Sequence, residues 1–141
     1  MDFGSTLSIS ASGFEAQRRK IDVIVENLAN MQTTRTSEGG PYLRKIVLLE
    51  SAPAVDDFGS VLEESLHKVK VGGVRHDENA VKHVYNPGHP DADGRGYVAM
   101  PDINAVVEMA DMIMAHRAYE ASVTAFEATK NMALRTLEMG K

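Results

Sequence analysis

The 141-residue sequence contains no cysteine. A disulfide framework, a thiolate nucleophile and a cysteine-based zinc site are therefore all excluded. No apolar run approaches the ~20 residues that span a bilayer. The start, Met1-Asp2-Phe3-Gly4-Ser5, lacks the basic region and apolar core of a secretory signal. The expectation is a chain that is either cytoplasmic or exported without a cleaved signal. Strong positive charge is missing too: 15 basic side chains face 20 acidic ones, a formal net charge of −5. The one basic cluster, Arg18-Arg19-Lys20, has Asp22 and Glu26 close by and reads as a solvated helix face, so nucleic-acid binding is not expected. A hydrophobic content of 43% nevertheless argues for one folded domain.

What is present falls into three parts. In the first, apolar residues recur at Leu7, Ala11, Phe14, Ile21, Val25 and Leu28 in alternating steps of four and three, interrupted at Arg18. That is a helical seam of coiled-coil type. Its beginning is rich in Ser, Thr and Gly, poor helix formers. Ser12-x-x-Glu15 has the form of a capping box, which predicts a stable helix from Ser12, with earlier residues becoming helical only against a partner.

The middle part opens with a polar turn-rich stretch from Thr33 to Pro41. Strands are predicted at Tyr42–Glu50, His67–Val71, Val81–Tyr85 and Gly96–Met100, with loops at Ala52–Ser60 and Asn86–Gly94. They form a small antiparallel β-rich unit with a modest core.

In the third part, Pro101-Asp102 is a stop-and-cap signal, and neither proline nor glycine recurs between Ile103 and Met139. Gly140 is the expected stop. A helix over that span is ~55 Å long. A compact globule of this length has a radius of gyration of roughly 14 Å, hence a diameter of ~37 Å. The molecule is elongated, or the helix breaks without a visible breaker.

The same helix carries two apolar rows. One runs Val107, Ala110, Met114, Ala118, Ala121, Ala125, Ala128, Met132. The other runs Val106, Met109, Ile113, Val123, Phe126, Leu134, Leu137. Two rows require at least two neighbours. The Ala-rich row permits close approach to the N-terminal helix; the second then packs on other molecules, unless the β-unit folds back over it. The fold expected is mainly α within the α+β class: paired long terminal helices (1–31 and 102–141) and a β-rich insert (32–101).

No catalytic, cofactor or metal site emerges. Gly94-Arg95-Gly96-Tyr97-Val98-Ala99 fits a dinucleotide fingerprint but is preceded by turn residues and followed by Pro101. Asp91-x-Asp93-x-Arg95-Gly96 has an arginine at a calcium-ligand position and lacks the terminal Glu; Asx turns explain it. The five histidines are scattered and make no H-E-x-x-H. There is no G-x-S-x-G elbow and no P-loop.

Several segments carry a resemblance. Ser12-Gly13-Phe14-Glu15-Ala16-Gln17, Ile21-Asp22-Val23-Ile24 and Asn27-Leu28-Ala29-Asn30 are similar to the N-terminal signature of the bacterial flagellar rod and hook proteins. Gly39-Gly40-Pro41-Tyr42 with Arg44-Lys45, Tyr85 through Asp93, and Gly96-Tyr97-Val98 leading to Met100-Pro101 resemble the proximal-rod members. Arg117-Ala118-Tyr119-Glu120-Ala121, Lys130 and Leu137 through Gly140 fit as well. Departures are Met31, where the family often has a small residue, and Leu43 within the usual basic pair.

The resemblance implies a structural subunit, not an enzyme, exported unfolded through the flagellar type III apparatus. It implies helical assembly into the periplasm-crossing drive shaft of the basal body, with itself, other rod proteins and basal-body components as partners, and no cofactor, nucleic acid or small-molecule substrate. The terminal helices would form the tube's inner core with the insert outside. The expected assembly interface then takes Leu7, Phe14, Ile21, Val25 and Leu28 from the first seam. Asn27 and Asn30 join it across a helix end, or else simply terminate the helix. From the last helix it takes Met109, Ile113, Val123, Phe126, Leu134 and Leu137, together with Arg117, Tyr119 and Glu120, where Arg117 and Glu120 are spaced for an i,i+3 pair. A different class, a soluble helical adaptor or chaperone holding one partner on its apolar row, fits the same pattern.

Overall fold

In the computed structural model, residues 3–54 and 66–140 are described. Helix α1 spans Phe3–Ala29, strands β1 to β4 span Lys45–Pro53, His67–His76, Val81–Tyr85 and Tyr97–Pro101, and helix α2 spans Ala105–Met139. The expected class holds: two long terminal helices packed together with small antiparallel sheets between them.

Helix α1 starts at Phe3 rather than at Ser12. The serines do not cap. Ser10 Oγ donates to the Thr6 carbonyl and Ser12 Oγ to the Ile9 carbonyl, while Ser12 Oγ accepts the Val69 N–H of β2 at 3.1 Å. Tertiary packing on both sides outweighs the poor propensity of this stretch. The helix closes at Asn30, whose Nδ2 donates to the Glu26 carbonyl and whose Oδ1 accepts from Thr33.

Helix α2 is capped by Asn104, not by Asp102; its Oδ1 accepts the N–H groups of Val106 and Val107. Pro101 ends β4, and Ile103 is buried. At 1.5 Å per residue α2 is ~52 Å long, so the molecule is elongated.

The insert forms two separate ribbons rather than one sheet. In β1–β2, Leu48 pairs with Gly73 and Leu49 with Val71, which leaves Gly72 as a bulge. Strand β1 runs three residues beyond the expected Glu50 and takes in Ala52 and Pro53; the rest of the expected loop, from 55 to 60, lies outside the described residues. Ribbon β3–β4 pairs without interruption from Val81–Pro101 to Tyr85–Tyr97. Asp93 shapes the turn before β4, its Oδ1 accepting the N–H groups of Arg95 and Tyr97 at 2.8 Å. Gly96 follows at φ +82°, a conformation costly for other residues.

Helix α1 lies between α2 on one side and the β1–β2 ribbon on the other; among the described residues no strand packs on α2. The helices run antiparallel, since Asn27 meets Glu108 while Gly13 lies against Ser122. On α2 the contact seam is Glu108, Met112, Ala115, Tyr119, Ser122, Phe126, Thr129 and Ala133, again in steps of four and three. This corrects the expectation that the row from Val107 to Met132 packs on α1: Val107, Met114 and Met132 are exposed. The seam is instead built of small and aromatic residues, because Gly13 admits Ser122 and Phe14 fits edge-on between Tyr119 and Phe126, at 6.1 and 6.0 Å. On α1 the sheltered residues include Ala16, Val23 and Ile24, off the expected row, whereas Val25 is 50% exposed. Cover from two sides moves the buried face away from a one-neighbour pattern. In the same register, the last two turns of α2 project beyond the first turn of α1.

Candidate assembly interface

A densely hydrogen-bonded polar junction lies where α1 ends, α2 begins and β1 enters. Asn27 and Glu108 are each 1% exposed. Asn27 Nδ2 donates to the Lys45 carbonyl and to Glu108 Oε2, at 3.0 and 3.2 Å. Its Oδ1 accepts the Tyr42 hydroxyl and the Lys45 N–H, at 3.0 and 2.9 Å. All four of its hydrogen-bonding positions are thus used. Arg44 meets Glu108 Oε1 through Nε and a terminal nitrogen, both at 2.6 Å, which compensates a buried carboxylate. Lys45 Nζ pairs with Glu26 at 2.8 Å and lies over the Tyr42 ring.

Electrostatics follow from this packing. Burial, then the negative charges of Glu26 and Glu108, push the Tyr42 phenol up to about 12. The hydrogen bond from Lys45 holds the Glu26 carboxyl below its ordinary value. At the β4 turn, backbone N–H groups of Tyr97 and Arg95 lower Asp93. Asp91 accepts from Thr34 Oγ1 at 2.8 Å and sits beside Arg35. Both aspartates of the former calcium-like motif therefore shape loops.

The expected interface residues divide into two groups. Phe14, Tyr119 and Phe126 come together inside the α1–α2 seam, with Val123 half-buried beside them. Asn27 belongs to the junction and Asn30 to the end of α1. Leu7, Ile21 and Leu28 are half-buried. By contrast Val25, Met109, Ile113, Arg117, Glu120, Leu134 and Leu137 face outward. Glu120 pairs with His116, one turn earlier, at 3.5 Å rather than with Arg117. A shallow groove of about 410 Å³ runs between Ile21 and Ile113, bordered by Met112, His116, Arg117 and Glu120. The outward apolar surface also includes Val106, Val107 and Met114. Sequence reasoning gave no role to Tyr42, Arg44 or Glu108; the available signal was a glutamate in phase with the small-residue seam of α2.

A helix of this length, packed along one seam and exposing Val106, Met109, Ile113 and Met114 among its charged residues, has the form of a structural subunit of a larger assembly. Comparison with known proteins agrees. Residues 95–139 match the family described as flagellar basal body rod FlgEFG protein C-terminal. The flagellar basal-body rod protein FlgC of Bacillus subtilis is 41% identical over 147 aligned positions, covering 96% of this chain and 97% of that one. FlgC of Borreliella burgdorferi is 39% identical, covering 94% and 93%, and FlgC of Aquifex aeolicus 40%, covering 100% and 99%. The chain belongs to the FlgC family of flagellar basal-body rod proteins. It is a structural subunit of the rod, not an enzyme, and assembles with other rod proteins. That membership replaces the adaptor or chaperone reading. No helix among the described residues is long and apolar enough to cross a membrane.

Proposed function

We propose that the subunit joins its neighbours through the outward faces of α2 and the Val25 side of α1, in heterologous contacts that propagate helically. The terminal helices line the shaft core and the two ribbons lie outside it. The neighbours are further copies, other rod proteins and adjoining basal-body components, and the chain reaches them unfolded through the flagellar type III export apparatus. The observation that supports this is the single seam of α2: Met109, Ile113 and Met114 each keep about half or more of their surface exposed.

Covering the remaining half of one such side chain contributes roughly 1 kcal/mol. Association costs at least ~4 kcal/mol of lost freedom. A few such side chains only offset that cost, so a firmly held subunit needs many of them, spread over several sides. Such many-sided contact is also what torque transmission requires.

The test is the double variant Met109→Asp/Ile113→Asp. Far-UV circular dichroism should match the parent, while the protein is missing from isolated basal bodies and the cells do not swim. Wild-type amounts of the variant in basal bodies of motile cells would refute the interface.

A further inference from the structure

We propose that Asn27 and Glu108 are positioning residues that fix the axial register of the α1–α2 pair, choosing one of several registers that the remainder of the seam accepts. Gly13 now lies against Ser122. One heptad to either side on the same face of α2 stand Ala115 and Thr129, both small enough to take the place of Ser122. Phe14 is flanked by Tyr119 and Phe126; one heptad nearer the start of α2, Met112 and Tyr119 would flank it similarly. The small-and-aromatic repeat that lets the helices approach closely thus carries little information about their offset.

The junction does carry it. With Gly13 moved against Ala115, Asn27 would face Pro101; with Gly13 against Thr129, it would face Ala115. Neither supplies a polar side chain, and Glu108 would lose both Asn27 and Arg44 while still needing compensation for its charge. A buried asparagine that specifies register is a known device of paired helices. Here the register also sets how far α2 projects beyond α1. The proposal concerns the inside of one subunit and holds whichever faces meet neighbours.

The absence of native cysteine makes a clean crosslinking test possible. An ideal Cβ on Gly13 lies 3.8 Å from Cβ of Ser122, within the range of a disulfide. In the full-length chain, Gly13→Cys/Ser122→Cys should oxidise efficiently, and Gly13→Cys with Ala115→Cys or Thr129→Cys should not. In an Asn27→Leu/Glu108→Leu background, the 13–115 and 13–129 disulfides should rise several-fold, toward the yield of the 13–122 pair. Continued formation of the 13–122 disulfide alone would overturn the proposal. Loss of all three with helical circular dichroism retained would also overturn it, since the junction would then be a clamp and not a register selector. If the double variant loses its helical signal, Arg44→Met and Tyr42→Phe provide the same measurement; yields unchanged in both would overturn the proposal equally.

Discussion

Replacing Asn27 by alanine takes one partner from four groups at once: the Tyr42 hydroxyl, the N–H and carbonyl of Lys45, and one oxygen of Glu108. Glu108 retains Arg44, so its charge stays compensated. The Tyr42 hydroxyl and the Lys45 N–H are left pointing at a site that was 1% exposed. An unsatisfied buried group costs about 1–3 kcal/mol. Two of them give a loss of roughly 2–6 kcal/mol, to which the small void adds. A domain of this size has about 5–15 kcal/mol in total. The midpoint of thermal unfolding should fall by roughly 4–24 °C, at about 2–4 °C per kcal/mol. Urea unfolding followed by far-UV circular dichroism should show a lower midpoint with an unchanged slope. Asn30→Ala is the control, since Asn30 bonds only groups near the end of α1, and it should cost about 1 kcal/mol. A loss below ~1 kcal/mol for Asn27→Ala would show that water fills the junction and would refute its description as a closed polar network.

Three further expectations concern pH and backbone strain. Because the Tyr42 phenol is raised to about 12 in the folded state, its contribution is fully present below an unfolded value near 10 and is lost as pH rises toward 12. Phenolate absorbance should show a late-ionising tyrosine that disappears in Tyr42→Phe. Glu26 is lowered instead, so its pairing with Lys45 stabilises above about pH 4.5 and is lost as pH falls through its folded value; Lys45→Met should remove that acid sensitivity. Gly96→Ala forces a side chain into φ +82° and against the Tyr85 ring at 2.9 Å, a destabilisation of roughly 1–3 kcal/mol measurable by thermal unfolding.

Much of this architecture was legible in the residues. The proline- and glycine-free stretch before Gly140 fixed the length of α2, and the Val-rich run at Val81–Tyr85 became β3 with the expected limits. The Asp93 turn and Gly96 also follow from residue chemistry. The rotation of the helices was not legible. Periodicity reports where apolar residues lie, and in a subunit awaiting neighbours these need not face its own core. Gly13 lies against Ser122 and Ala115 is buried, all with little apolar signal. Glu108 hid for the converse reason: a charged residue normally marks solvent, and its partners Arg44 and Asn27 come from distant parts of the chain. The early start of α1 depended on packing by α2 and β2, which no local propensity records.

The overhang of α2 has a consequence for growth. Leu134, Leu137 and Met139 sit on the part of α2 that extends past the described start of α1, with Leu137 70% and Met139 81% exposed. If copies stack as proposed, their rim would not be flat, because each contributes a projecting apolar tip. In the assembly proposed above, an incoming molecule would meet keyed sockets instead of a smooth ledge, and elongation would be directional.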